Sequence, residues 1–338
     1  MSTSSFSSPA IALCLATYNP PLPLFRRQIQ SLRAQQYPHW HCFISDDGSA
    51  PEFVREMQTM LATDERFTVS PAPVRQGFYR NFERCLRLVP ATFPYVAFAD
   101  QDDHWYPEKL SVLAGEINEP VVLAYSDARI VDGTGAVLAE TYWQGRQPNR
   151  GDLASLALTN SVTGAAALFS SSLLPYVLPF PAEAGNLAHD HWLACVALSV
   201  GQIRYVDRCL YDYVQHGANA IGHGETKAPF LPKFIVLSLL NLARRKGWQQ
   251  AEIIYRQEVR KIVVVAQTIL QRCQPLLSAE ARATWQRLAQ LDQSFSSFWW
   301  LLQRGRHTAP LTAGAEYHLA LGLLWHSLSK LLFRGISQ

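Results

Sequence analysis

The chain has 338 residues, 48% of them hydrophobic and 17% charged, enough to bury the core of one large domain with an appendage. Its six cysteines (14, 42, 85, 195, 209 and 273) show no CxxC spacing, which argues against a disulfide framework or a zinc site and predicts reduced thiols in a cytoplasmic protein. The net charge of +3 conceals a division: residues 228–338 hold 14 Lys/Arg and 5 Asp/Glu, a net +9, which leaves −6 on the first 227.

Residues 1–9 are Ser-rich and lack a basic segment followed by an apolar one, so a disordered tail is expected there, not a signal peptide. No stretch approaches 18 uninterrupted apolar residues, and no transmembrane helix is expected. Ile11–Ala16 is a compact apolar run that predicts a strand ending in the turn Thr17-Tyr18-Asn19-Pro20-Pro21. Leu24–Gln35 has helical periodicity through Phe25, Ile29 and Leu32. Trp40–Ile44 predicts a second strand, ending in the acceptor-rich turn Ser45-Asp46-Asp47-Gly48-Ser49. A helix over Phe53–Leu61 and a short strand over Phe67–Val69 follow, then a helix opened by Arg75-Gln-Gly77-Phe-Tyr-Arg-Asn81-Phe82. Strands and helices alternating at this rhythm call for a parallel sheet with right-handed crossovers. Residues 10–110 therefore form a nucleotide-binding-like α/β half.

Tyr95–Ala99 predicts a buried strand, and three carboxylates stand directly behind it in Phe98-Ala-Asp100-Gln-Asp102-Asp103-His-Trp105. In open α/β sheets ligands bind at the carboxyl ends of strands. Three carboxylates there repel one another unless a cation or a ligand's donors offset the charge, and a hard divalent ion on phosphate oxygens would do so. The plainer alternative is a solvated acidic turn that caps a helix starting near Pro107. Asp46 or Asp47 can accept from a nucleoside, although Asp47-Gly48 also suits an Asx-turn. Neither GxGxxG nor a P-loop sequence occurs, which argues against both of those phosphate-binding modes.

Beyond the acidic turn, strands are expected over Val121–Tyr125, Ala128–Val131 and Val137–Leu138, the last two joined by the hairpin turn Asp132-Gly-Thr-Gly135. Ser161–Phe169 is small and apolar, with Gly164 where backbone can approach a ligand closely. His189-Asp190-His191-Trp192 is expected to precede a helix over Leu193–Val200, which Asp190 would cap. Arg204–Tyr213 predicts a further strand, and from about Pro229 the pattern is helical throughout.

Ala16-Thr-Tyr-Asn19, Ser45-Asp-Asp-Gly-Ser49, Arg75 with Gly77 and Asn81-Phe82, and Asp100-Gln-Asp-Asp-His-Trp105 with Lys109-Leu110 resemble the successive motifs of family 2 glycosyltransferases. The resemblance covers roughly residues 10–225. The later His189-Asp190-His-Trp192 and Tyr213-Val-Gln-His216-Gly-Ala-Asn219 are most similar to bacterial rhamnosyltransferase-type enzymes of surface polysaccharide synthesis. It implies the GT-A fold, with a mostly parallel central sheet, for residues 10–227, the acceptor half being 111–227, and a separate helical region over 228–338. It further implies a nucleotide-diphosphate sugar donor, a saccharide or lipid-linked acceptor, and Mg²⁺ or Mn²⁺. Thr17, Tyr18, Asn19, Asp46, Asp47, Arg75, Gly77, Asn81 and Asp100 would bind the nucleotide. Asp100 and Asp102, with His216, would hold the metal. Asp190 would be the general base, and Asp103, Trp105, Gly164, His189 and Trp192 would support the acceptor side. Many relatives carry Glu-Asp where this chain has His189-Asp190, which leaves Asp190 as the motif's sole acid.

In the tail, Phe298-Trp-Trp-Leu-Leu302 precedes Arg304 and Arg306, and 319–333 is leucine-rich with Lys330 near its end. Aromatic and basic residues edging apolar helices suit a membrane interface, which would place the protein peripherally on the inner face of the plasma membrane. A homodimer contact or simple packing would use the same stripes. Nucleic-acid binding is not expected, because the basic residues lack an interleaved motif. Two other functions share the acidic turns. A nucleotide-sugar-binding partner that has lost catalysis would not need Asp190. A nucleotidyltransferase would carry a Gly-rich basic loop after its first strand, which Thr17–Pro21 lacks.

Overall fold

The computed structural model describes residues 8–144, 147–181, 187–216, 245–312 and 314–333. Asn219, the expected helical start near Pro229, Arg334 and most of the N-terminal tail lie outside the described residues. Two compact units interleave along the chain. The first takes the described residues of 1–142, 162–180 and 201–223, and the second those of 143–161, 181–200 and 224–338. Segments 143–161 and 181–200 therefore group with the C-terminal helices, where the sequence reading drew one boundary near 227.

In the first unit the elements are β1 (Ile11–Thr17), α1 (Leu22–Arg33), β2 (Trp40–Asp46), α2 (Pro51–Leu61), β3 (Phe67–Pro71), α3 (Phe78–Arg87), β4 (Tyr95–Ala99), β5 (His104–Trp105) and α4 (Lys109–Glu116). The nine-stranded sheet is completed by β6 (Val121–Asp132), β7 (Val137–Ala139), β8 (Ala167–Ser170) and β9 (Gln202–Gln215), in the order β3-β2-β1-β4-β8-β6-β9-β5, with β7 beside β6. The β3-β2-β1-β4 half is entirely parallel. β1 is buried nearly throughout and carries a continuous apolar run, as a central parallel strand requires. Its register pairs Thr17 with Asp46 and Leu15 with Ala99, so the three polar turns leave the sheet at neighbouring strand ends. Antiparallel pairing enters at β8, which lies between β4 and β6.

The two strands expected at 121–125 and 128–131 are one strand, β6. Ser126-Asp127 interrupts its apolar pattern, yet both residues are buried. Asp127 accepts from the amides of Ala128 (2.7 Å) and Tyr142 (3.0 Å) and from the Thr141 hydroxyl (2.5 Å), so its charge is met by donors without breaking the strand. The hairpin 132–135 is present, with Ile130 opposite Ala139.

The second unit is helical. Its short helix at 153–158 and the one beginning at His189 come from mid-chain, so α6 (Leu174–Val177) of the first unit falls between α5 (Leu153–Leu158) and α7 (His189–Val200) in numbering. The tail supplies α8 (Arg245–Ile254), α9 (Arg260–Arg272), α10 (Ala279–Ala289), α11 (Phe295–Thr312) and α12 (Ala315–Phe333). A π-turn over Tyr255–Val259 joins α8 to α9. Helix α12 crosses it at Gly322, where a Cβ would meet the Ile254 side chain at 2.9 Å. Helix α7 starts at His189 and not at Leu193. The polar run 189–192 hid its first turn, but His189 and His191 are buried, and His191 Nε2 lies 2.7 Å from the Leu156 carbonyl of α5. No helix among the described residues is long and apolar enough to cross a membrane.

Candidate functional site

The ends of β1 and β2 are clamped together by buried polar groups. The Thr17 hydroxyl donates to Asp46 (3.0 Å), and the Asp47 amide donates to the Thr17 carbonyl (2.8 Å). Asn81, inside α3, reaches both strands: its amide donates to the carbonyls of Thr17 (3.2 Å) and Ser45 (2.8 Å), and its oxygen accepts from the Ser45 hydroxyl (2.6 Å). Asp46 also accepts from the Ser49 amide at 2.9 Å. Asp47 accepts from the amides of Gln76 (2.7 Å) and Gly77 (2.8 Å), which fixes the loop entering α3. Gly77 holds φ +89°, a conformation that favours glycine. Asn19, at φ 38°, accepts from the Ala50 amide ahead of α2.

Two side chains face outward above this frame. The Arg75 guanidinium lies 3.9 Å from the centre of the Tyr18 ring, a cation–π pair on an otherwise open edge. The Tyr18 amide is held by Gln101 of the acidic turn (2.9 Å), so the first and third polar turns are physically joined.

In the acidic turn the three carboxylates have different environments. Asp102 lies 2.8 Å from His216 Nε2, directly beyond the end of β9. Burial raises the Asp102 pKa above the usual carboxylate range, while His216 and the charge of Arg27 pull it back. Asp103 is fully buried. Its Oδ1 accepts from the Val214 amide (3.3 Å), and its Oδ2 has no hydrogen-bond partner among the described residues. Burial, with the charges of Asp100 and Asp102, pushes its carboxyl well up, and Lys109 opposes them.

Lys109 is itself fully buried, with Nζ 3.7 Å from the Trp105 ring centre and 4.3 Å from that of Tyr211, donating to the Ala165 carbonyl. Burial drives its amine well below the ordinary lysine range, against the pull of Asp103 and Asp100. The acidic turn is therefore backed by a buried lysine. Nothing in the spacing of Lys109 signals this; only the fold encloses it between two aromatic rings.

β5 is fixed to β9 by a second network the sequence did not reveal. Asp212 accepts from Arg129 (2.9 and 3.2 Å) and from the Tyr106 hydroxyl (2.6 Å). Because His104 and Trp105 pair with Asp212 and Tyr211, this network sets the register that brings Asp102 to His216. Arg27 of α1 was also missed: its Nε and Nη2 are buried without a hydrogen-bond partner among the described residues. Trp105 is fully buried, and Gly164 opens a buried 3-10 turn, so both act here as support for their neighbours.

Within the second unit, Asp190 sits in the first turn of α7. Its Oδ1 accepts from the His191 amide (2.6 Å) and from the Asn160 side-chain amide (3.0 Å). His189 beside it is buried, and burial lowers its pKa to about 3. Trp192 is fully buried, with the Arg272 guanidinium 5.7 Å from its ring centre.

Among the described residues, no group of three or more His, Cys, Asp or Glu side chains could hold a metal ion. The Asp102–His216 pair still suits a hard ion carried by a diphosphate, which takes one or two protein ligands and completes its shell with phosphate oxygens and water.

A parallel half-sheet with polar strand-end turns, an acidic turn after its fourth strand, and a mixed second half define the GT-A glycosyltransferase fold. Residues 12–174, just under half of the chain, match the model of glycosyl transferase family 2. Its structure is similar to the TarS 1–349 fragment of S. aureus crystallised with UDP-GlcNAc, at TM-score 0.52 and 14% identity over 96% of this chain and 92% of that one. The same fragment crystallised with UDP gives TM-score 0.50 and 14% identity over 96% and 91%. At this identity the likeness is one of fold. Protein y4gI of Sinorhizobium fredii is 29% identical over 126 residues, which is 37% of this chain and 13% of that protein's length.

Proposed function

We propose that this chain is an inverting, metal-dependent glycosyltransferase that moves a sugar from a UDP- or dTDP-linked donor, dTDP-rhamnose among the candidates. The acceptor is a saccharide or lipid-linked saccharide of bacterial polysaccharide synthesis. The observation that carries the reading is the joining of three polar turns at neighbouring strand ends, closed by the Asp102–His216 contact. Asp46, Asp47 and the Tyr18–Arg75 pair hold the nucleoside. Thr17, Asn19, Gly77 and Asn81 shape the loops that present them. Asp102 and His216, with Asp100, hold the divalent ion, which when bound offsets charge on the leaving diphosphate. Asp190 takes the proton of the acceptor hydroxyl as its oxygen bonds to the anomeric carbon and the bond to the diphosphate breaks. One displacement inverts the anomeric centre. The TarS complex with UDP-GlcNAc supports a uridine-type donor by analogy.

Calorimetry of the purified protein against UDP-, dTDP- and GDP-sugars, with and without Mn²⁺, tests the reading. One donor class should bind, more tightly with Mn²⁺, and Asp102→Asn should lose at least about tenfold of that affinity, because an amide cannot supply the charge the ion needs. Unchanged affinity and metal dependence in the variant would refute the metal assignment.

A further inference from the structure

We infer that Asn160 is a positioning residue that keeps Asp190 ionised and fixed in orientation, an inference that rests on Asp190 being the base. Asn160 follows α5 directly, and its Nδ2–H₂ donates to Asp190 Oδ1 at 3.0 Å. The same oxygen accepts from the His191 amide at 2.6 Å, in the first turn of α7. Both donors favour the charged carboxylate over the protonated acid, and the positive end of the helix dipole adds to them. A base must be ionised when the acceptor arrives and must hold one oxygen toward the hydroxyl.

The placement is built from the fold. Helix α5 is capped by Asp152, which accepts from the Ser155 amide (2.8 Å), and is joined to α7 by His191 on the Leu156 carbonyl. Asn160 thus reaches Asp190 from a segment whose position is set independently of the Asn160–Asp190 bond. Aspartate at 160 would keep the shape and replace the donor with a second carboxylate. Two carboxylates at that separation share one proton, and the pKa of the pair's second ionisation rises.

The experiment is a ¹³C NMR titration of aspartate carboxyls in the full chain, with the Asp190 resonance assigned by its loss in Asp190→Asn. Asn160→Ala should raise the Asp190 midpoint, and Asn160→Asp should raise it further, by at least about one pH unit. Release of nucleoside diphosphate from a panel of UDP-, dTDP- and GDP-hexoses with Mn²⁺ gives the second readout. There, the acid limb of the pH profile should move with the midpoint, and Asn160→Ala should lose about tenfold in kcat with donor affinity unchanged. Asn160→Asp is nearly isosteric and carries the test alone if Asn160→Ala folds poorly. An Asp190 midpoint unmoved in the variants overturns the role of Asn160 while leaving the base reading intact. Wild-type turnover in Asp190→Asn overturns the base reading and this inference with it.

Discussion

The indole N–H of Trp285 donates to the hydroxyl of Ser199 at 2.8 Å, and both side chains are buried. The contact ties α10, in the C-terminal tail, to the last turn of α7, the helix whose first turn holds Asp190. Ser199 donates in turn to the Cys195 carbonyl at 2.6 Å, so the bond continues into the helix backbone. Arg304 of α11 makes the corresponding contact to the other mid-chain helix, donating to Asp152 and to Ser155 Oγ (2.7 Å). The tail helices are thus part of what holds the proposed base.

Trp285→Ala should accordingly destabilise the protein by about 3–5 kcal/mol, the cost of deleting a fully buried indole. Trp285→Phe should cost about 1–2 kcal/mol, since it keeps most of the volume and loses the hydrogen bond. Urea denaturation followed by tryptophan fluorescence and far-UV circular dichroism measures both.

Asn81→Ala should cost about 2–3 kcal/mol and weaken nucleotide binding, because it takes the Asn81 amide from the buried Ser45 carbonyl and hydroxyl and leaves the Thr17 carbonyl only the Asp47 amide. Asn81→Asp should be worse than its size suggests, since a carboxylate cannot donate to either carbonyl. Stability curves and titration with UDP separate the two effects.

His189 makes stability depend on pH. Its folded pKa is about 3 and the unfolded value is 6.5, so between these pH values the unfolded chain binds the extra proton. Stability is full above about pH 6.5 and falls as the solution is acidified. This one group should account for about 3 kcal/mol of loss by pH 4. His189→Gln should flatten the acid slope between pH 6.5 and 4, whatever it does to stability at pH 8.

The proposed membrane contact narrows to a few side chains. Leu323 is buried against its own unit, and the Trp300 ring lies about equally far from Arg287 (5.6 Å) and Arg304 (5.5 Å). Phe295 and Trp299, one turn apart on α11, remain exposed at 66% and 54%. Phe295→Ser with Trp299→Ser should abolish flotation with anionic liposomes at low salt while leaving the fold unchanged. Wild-type protein that fails to float, yet runs as a dimer split by the double variant, would assign the patch to self-association.

Much of the first unit could be read from the sequence because its signals are local. Tyr95–Ala99 was bounded correctly since a short apolar run stopped at charged residues has few alternatives. The start of α7 was misplaced for the converse reason: His189, Asp190 and His191 look like a loop until burial and a carbonyl from α5 are supplied. Asp102 and His216 lie 114 residues apart, and only family resemblance linked them. Asp212 and Asn160 left no readable mark, because an isolated aspartate or asparagine takes its meaning from what the fold puts beside it.

The interleaving of the two units sets an order on synthesis. β9 lies between β6 and β5 in the sheet, so the first unit cannot close until residues 202–215 have left the ribosome. By then α5 and α7 have already emerged without α9, α10 and α11, against which they pack. The apolar faces of those two helices must therefore wait, exposed, for roughly the last third of the chain. A nascent chain stalled near residue 250, with 202–215 clear of the exit tunnel, should engage holdase chaperones and should be cut by protease first within 143–161 and 187–200.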